Sequence, residues 1–204
     1  MNPLSDSADR RSLRRELRSA RAAIGDGQRR SAAQRILHAL QATAWFTAGR
    51  SLALYVSAGS EVDTWALRQL CHRRGCRVYL PRIIDLDQQR MALCRDPGAP
   101  LKSNRFGIGE PPPGPTLDPA LLPLIVLPLL AFDVRGTRLG TGAGYYDRLL
   151  ARLPRERHAR RTRLIGLAYD CQRRERIAAR SHDVPLDGIV TEAGLHWFTA
   201  EHTT

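Results

Sequence analysis

Lysine is almost absent. Of the 32 basic residues in this 204-residue chain only Lys102 is lysine, against 20 acidic residues. So one-sided a use of arginine points to GC-rich coding more than to a chemical demand for guanidinium. The net charge of +12 favours anionic partners such as nucleotides, polyglutamates or nucleic acid. A solvated arginine surface accounts for the same number. No apolar run reaches the roughly 18 residues that argue for a membrane span. The longest, LLPLIVLPLLAF at 121–132, is broken by prolines. The amino-terminal stretch has no apolar signal-peptide core, and its Asp6, Asp9 and Glu16 are out of place in a transit peptide. A cytoplasmic protein is expected. There are four cysteines and no C-x2-C pair. That argues against a zinc site or a disulfide framework, so Cys71, Cys76, Cys94 and Cys171 are expected to be packing residues.

Short helical and strand patterns alternate along the chain, with no internal repeat. Leu13, Leu17, Ala20 and Ile24 mark one face of a first helix, broken by Gly25-Asp26-Gly27. Ile36, Leu37 and Leu40 mark a second. SLALYVS at 51–57 reads as a strand, and Asp63 can cap a helix carrying Trp65, Leu67 and Leu70. RVYLP (77–81), RMALC (90–94), PLIVLP (123–128) and RLIGLAY (163–169) read as strands. DCQRRERIA (170–178) reads as a short helix and DGIVT (187–191) as the last strand. Residues 96–120 are rich in proline and glycine, a long irregular loop of the kind that usually carries function or is disordered. The order implies one α/β domain over 1–204, a three-layer Rossmann-like sandwich with a mostly parallel sheet and ligands at the carboxyl ends of its strands.

The chemistry concentrates in RLGTGAGYYDR, 138–148. It is no P-loop, since G-x4-G-K-[ST] is missing, and its G-x-G-x-G is not the dinucleotide G-x-G-x-x-G. Three glycines at alternate positions still let successive amides converge on an anion. A helix beginning near Tyr145 adds its free N–H groups. Arg138 supplies a bidentate fork, and Asp147 can cap the helix or hold Mg²⁺ beside a phosphate.

LPLLAFDVRGTRLGTGAGYYDRLL (127–150) resembles the signature of the 5-formyltetrahydrofolate cyclo-ligase family. The likeness extends over RRSLRRELR, YVSAGSEVDT, YLPR, FGIGEP and HDVPLDGIVT, in the family's order. It implies a single α/β domain that uses ATP and Mg²⁺ to cyclise 5-formyltetrahydrofolate to 5,10-methenyltetrahydrofolate. By matching positions, ATP falls to Arg10, Arg14 and the run Arg138, Leu139, Gly140, Thr141, Gly142, Ala143, Gly144, Tyr145 and Tyr146. The folate falls to Val56, Glu61 and Thr141 to Tyr145, and the metal to Asp147 and Asp183. Arg138 and Tyr145 are the expected catalytic pair, and His182 is read as structural. Two positions depart from the family. Arg10 stands where some members carry lysine, and Ala143 where glycine or lysine is common. If Ala143 needed φ > 0 it would be strained by about 1 kcal/mol or more. Arg135 is a candidate to replace a charge lost there. No oligomeric contact is implied, and a monomer is expected. Two rivals remain: a basic nucleic-acid-binding module, though no recognised RNA-binding motif is present, and an ATP-independent isomerase or acyl-CoA transferase of similar architecture. The six arginines of 10–21 are expected all around the first helix.

Overall fold

The central strands are apolar on both faces, which places their sheet in the middle of the molecule. The computed structural model describes residues 3–156, 159, 161–181 and 183–198. Helices α1 (Pro3–Ala22) and α2 (Asp26–Gln41) come first, then β1 (Ser51–Ala53), α3 (Trp65–Arg73), β2 (Arg77–Asp85) and β3 (Arg90–Arg95). Short pieces β4 (Lys102–Ser103), β5 (Gly109–Glu110) and β6 (Thr116–Leu117) follow, then β7 (Leu124–Pro128), β8 (Ala131–Asp133), β9 (Arg138–Leu139) and α4 (Tyr145–Leu150). The chain closes with β10 (Arg163–Leu167), β11 (Arg173–Arg174), β12 (Gly188–Thr191) and β13 (Gly194–Trp197).

The large sheet has the order β13-β12-β10-β7-β1-β2-β3-β6. The five strands from β12 to β2 run parallel, and β13, β3 and β6 add antiparallel edges. Alternation along each strand splits the core into two layers. Leu52, Leu54, Leu124, Val126 and Ile165 pack with Ile36 and Leu40 of α2 and Leu67 and Leu70 of α3. Ala53, Ile125, Leu127 and Leu164 pack on the other side with Leu150 of α4, Leu153 and Phe198. Each such fully buried aliphatic side chain contributes roughly 1.5–3 kcal/mol. A third cluster seats α1, through Leu13 and Leu17, on Leu130, Ala131, Leu139 and Ile177 beside a small sheet ordered β11-β8-β9. The three-layer α/β arrangement is therefore as expected. From β1 the chain turns to β2 on one side, and from β7 to β10 on the other. The boundary between β1 and β7 is the switch point where α/β sheets open a ligand crevice.

Four local expectations change. The break after α1 is shorter than Gly25-Asp26-Gly27, because α2 starts at Asp26 with Gly25 as its N-cap. Residues 96–120 are not featureless: β4 and β5 form a hairpin, β6 adds to the sheet edge, and Pro119–Leu121 is a 3-10 turn. DGIVT is followed by another strand, β13, antiparallel to β12. The stretch 170–178 is not a helix. Asp170–Gln172 makes one 3-10 turn and β11 pairs with β8. Buried acceptors decide this. Gln172 Nε2 donates to the carbonyls of Leu129 and Leu130, and the Ile177 amide donates to the Asp133 carboxylate. A nine-residue helix is marginal alone and yields to such fixed partners. His182 lies outside the described residues.

Candidate functional site

The glycine loop is set by a buried acid that sequence reasoning passed over. Asp133 is 0% exposed. Its Oδ1 accepts from the amides of Arg135 and Thr137 and its Oδ2 from Ile177. That closes the β8–β9 turn and delivers Arg138 into the site. Arg138 is buried, and its NH2 donates to Asp147 Oδ1 at 2.6 Å across the loop. Its Nε is buried with no partner among the described residues. Leu139 turns away: its side chain is in the α1 cluster and its carbonyl accepts from Leu130.

Gly142 and Gly144 take φ of 104° and 74°, conformations that disfavour any side chain. A Cβ on Gly142 would also lie 3.3 Å from Arg14 Nε. Ala143 has no positive φ, so the strain raised as a question above is absent. Gly144 is the N-cap of α4, which has only six residues. So short a helix adds little dipole, and any anion held here relies on loop amides and arginines.

Those arginines come from α1 on one stripe. Arg10 and Arg21 are buried and Arg14 is half-buried; Arg18, exposed like Arg11 and Arg15, still reaches the body with one guanidinium nitrogen. Arg14 Nε donates to the Gly140 carbonyl at 3.0 Å and Arg18 NH2 to the Thr141 carbonyl at 2.6 Å. Arg10 NH1 donates to the Ala178 carbonyl at 2.7 Å, and its NH2 stands 3.9 Å from Asp183. Arg10 Nε, like that of Arg138, is buried and unpartnered among the described residues. Burial lowers the Arg14 pKa, and the charges of Arg10, Arg180 and Arg18 lower it further, while Asp147 acts the other way. Four guanidinium groups that repel one another, with Asp147 and Asp183 at their border, are an arrangement an anion would relieve. Arg18, Arg21 and Arg180 were not singled out from the sequence. The 10–14–18–21 spacing was the available signal, since it is one helix face. Arg135 is exposed and lies away from the cleft lining, so it does not stand in at Ala143.

On its other side the loop borders a cleft of about 520 Å³, within the usual size for a small-molecule site. The cleft opens at the carboxyl ends of β1, β2 and β7. Val56, Pro81, Ile83, Met91, Phe106 and Ile108 make apolar walls, and Tyr55, Glu61 and Tyr146 add polar groups. Such a slot suits a flat ring with polar edges. Phe106 sits on the β4–β5 hairpin, whose turn is held by Asn104 Oδ1 accepting from the amides of Phe106 and Ile108. Glu110 ties that hairpin to β2 through the Ile83 amide. Glu61 Oε2 accepts from the Ala58 amide at 3.0 Å. Burial raises the Glu61 pKa, opposed by that amide and by Arg21. Burial also pushes the phenols of Tyr55 and Tyr146 up, so both stay neutral donors. The cleft thus unites Val56, Glu61, Arg138, Gly140 to Tyr146 and Asp147. Arg10, Arg14 and Asp183 stand outside its lining, grouped with one another at the loop and α1. Among the described residues no three His, Cys, Asp or Glu side chains form a metal cluster, and no helix is long and apolar enough to cross a membrane.

Residues 6–192 match the 5-formyltetrahydrofolate cyclo-ligase family. The 5-formyltetrahydrofolate cyclo-ligase of Haemophilus influenzae is 35% identical over 89% of this chain and 96% of its own. That of Mycolicibacterium smegmatis is 34% identical over 94% and 95%. Among solved structures, the 5,10-methenyltetrahydrofolate synthetase of Aquifex aeolicus superposes with a TM-score of 0.78 at 29% identity, covering 96% of this chain and 95% of that one.

Proposed function

Since the chain belongs to the 5-formyltetrahydrofolate cyclo-ligase family, we propose that it closes 5-formyltetrahydrofolate to 5,10-methenyltetrahydrofolate at the expense of ATP, with the folate in the apolar cleft and the nucleotide phosphates at the glycine loop. One observation carries the assignment of ends: the apolar slot meets, at Gly140 to Asp147, a loop backed by mutually repelling arginines with two buried, unpartnered Nε atoms. Unpaired buried donors are rare in folded proteins, and an anion held at the loop would give these a partner.

The chemistry explains the need for ATP. N10 must attack the formamide carbon, and the formyl oxygen must then depart, which as oxide it cannot do. The formyl oxygen attacks the γ-phosphorus and ADP leaves. N10 then bonds to the activated carbon, the C–O bond breaks with phosphate as leaving group, and N10 gives up its proton. The substrate oxygen is itself the nucleophile, so the protein's work is alignment and charge neutralisation. Arg138 at the loop entrance, Arg14 and Arg10 behind it, and the loop amides offset charge on the phosphates. Glu61 is placed to accept from a pterin N–H or from N10–H. Tyr145 lines the same cleft, and in this reading it stacks on the ring or bonds a phosphate.

Magnesium fits this donor set in the company of a nucleotide. Mg²⁺ is commonly held by one or two carboxylates with phosphate oxygens completing its shell. Asp147, about one-third exposed, and Asp183 both border the arginine cluster. When bound there, the metal would neutralise phosphate charge. The nucleic-acid alternative loses its main support, because four of the six arginines of α1 donate to carbonyls elsewhere in the molecule. The test is Arg138→Ala and Asp147→Ala with ATP and 5-formyltetrahydrofolate, following the absorbance of the methenyl product. Each variant is expected to lose at least about 100-fold in kcat. Unchanged turnover in both would refute the loop assignment.

A further inference from the structure

The turn that carries Glu61 hangs on a side chain from the last turn of α1. Arg21 is 7% exposed and borders the cleft. Its Nε donates to Ser60 Oγ at 3.1 Å and its NH1 to the Leu129 carbonyl at 3.2 Å. Ser60 precedes Glu61, and Leu129 follows the carboxyl end of β7. One guanidinium therefore joins α1, the 58–61 turn and the switch-point strand. Among the described residues no carboxylate lies within 4.0 Å of Arg21, so no close ion pair spends its charge. A buried cation without a near partner is expensive, and fixed placement against Glu61 gives a reason to keep it.

We infer that Arg21 is a positioning residue for the folate half of the reaction: it fixes the turn bearing Glu61 and supplies the counter-charge for that carboxylate. This rests on the reading that Glu61 holds the folate. Among the described residues the groups facing Glu61 are few. Arg21 comes from α1, Tyr55 from beyond β1, Tyr146 from α4, and Tyr169 from beyond β10, with its OH donating to the Glu61 carbonyl at 3.3 Å. The three phenols are pushed up by burial and stay neutral. Asp63, on the same loop, is engaged with Ser57 and the Trp65 amide. The cation that acts on Glu61 is Arg21. The same helix sends Arg14 and Arg18 to the glycine loop. Loosening α1 as a whole would therefore disturb both substrates, whereas loss of the Arg21 charge should disturb one.

That difference is the test. Arg21→Met, Arg21→Lys and Glu61→Gln are made in the full chain. The kcat/KM for 5-formyltetrahydrofolate is followed against pH, together with KM for ATP. Arg21→Met is expected to raise KM for the folate about tenfold or more, to move the acid limb of the profile up by about one pH unit, and to leave KM for ATP within about twofold. Arg21→Lys should keep the acid limb near wild type but recover only part of the KM, since one ammonium point charge does not reproduce a fork on two acceptors. If Arg21→Met does not fold, the lysine variant carries the test by the same readouts. Equal rises in both KM values, or a wild-type acid limb in Arg21→Met, would overturn the inference while a raised folate KM in Glu61→Gln keeps the folate site standing. A wild-type folate KM in Glu61→Gln would remove the folate assignment, and the inference with it.

Discussion

Two adjacent loop positions should respond to substitution in a pattern that their backbone angles fix. Gly142 sits at φ 104° and a Cβ there would lie 3.3–3.5 Å from Arg14 Nε, Cζ and Cδ. Alanine is confined away from that region, and holding it there costs about 1–3 kcal/mol. Gly142 is exposed, so the loop can relax rather than endure the strain. Global stability should then fall by less than about 1 kcal/mol. The cost reappears on binding, when the amides must be restored to their places. At 1.4 kcal/mol per factor of ten, Gly142→Ala should raise KM for ATP by about 5- to 100-fold. Ala143→Gly should do much less. Ala143 has no positive φ, so glycine there relieves nothing and only loosens the unfolded chain, at about 0.4–1 kcal/mol. KM for ATP should stay within about threefold. Steady-state kinetics with varied ATP at saturating folate, beside urea melts of both variants, decides the matter. An Ala143→Gly variant that gained affinity for ATP, or a Gly142→Ala variant indistinguishable from wild type, would refute the argument from backbone angle.

Two further outcomes follow from buried groups away from the cleft. Asp96 is buried; that alone would raise its pKa, but hydrogen bonds from Arg68, His72 and the Gly98 amide outweigh burial and hold it below the usual carboxylate range. A depressed folded pKa contributes stability that is present above the unfolded value near 4 and is lost as pH falls through the folded one. Acid unfolding below about pH 4 should therefore be shallower in Asp96→Asn, which should also lose about 2–4 kcal/mol at pH 7 in urea titrations; an unchanged acid slope counts against the assignment. Cys71, Cys76 and Cys94 are buried and Cys171 is exposed, with burial pushing the thiols of all four up. A thiol reagent at pH 8 should label one cysteine slowly in the folded protein and all four in denaturant, and fast labelling of two or more would contradict the packing.

The sequence alone determined what depends on local pattern. Apolar strands bounded by helices implied a mostly parallel α/β sheet, and the contiguous glycines, arginine and acid of RLGTGAGYYDR picked out the loop that lines the cleft. The family likeness was carried by contiguous motifs, which survive without knowledge of the fold. The tertiary structure decided whatever depends on distant partners. Residues 170–178 have helical composition, but Asp133 and the carbonyls of Leu129 and Leu130 hold them as a turn and a strand. Read as a charge count, the arginines of 10–21 encircle a helix, yet packing of Leu13 and Leu17 brings Arg10, Arg14, Arg18 and Arg21 to carbonyls of the body on one stripe. The sequence left open whether Ala143 needs a positive φ, and the backbone shows that Gly142 and Gly144 on either side take the positive φ angles instead. Arg21 had no motif to mark it. Its role depends on Ser60 and Leu129, 39 and 108 residues away in the chain. Only folding brings those acceptors to one guanidinium, which is why chemistry of this kind is written in space and not in sequence.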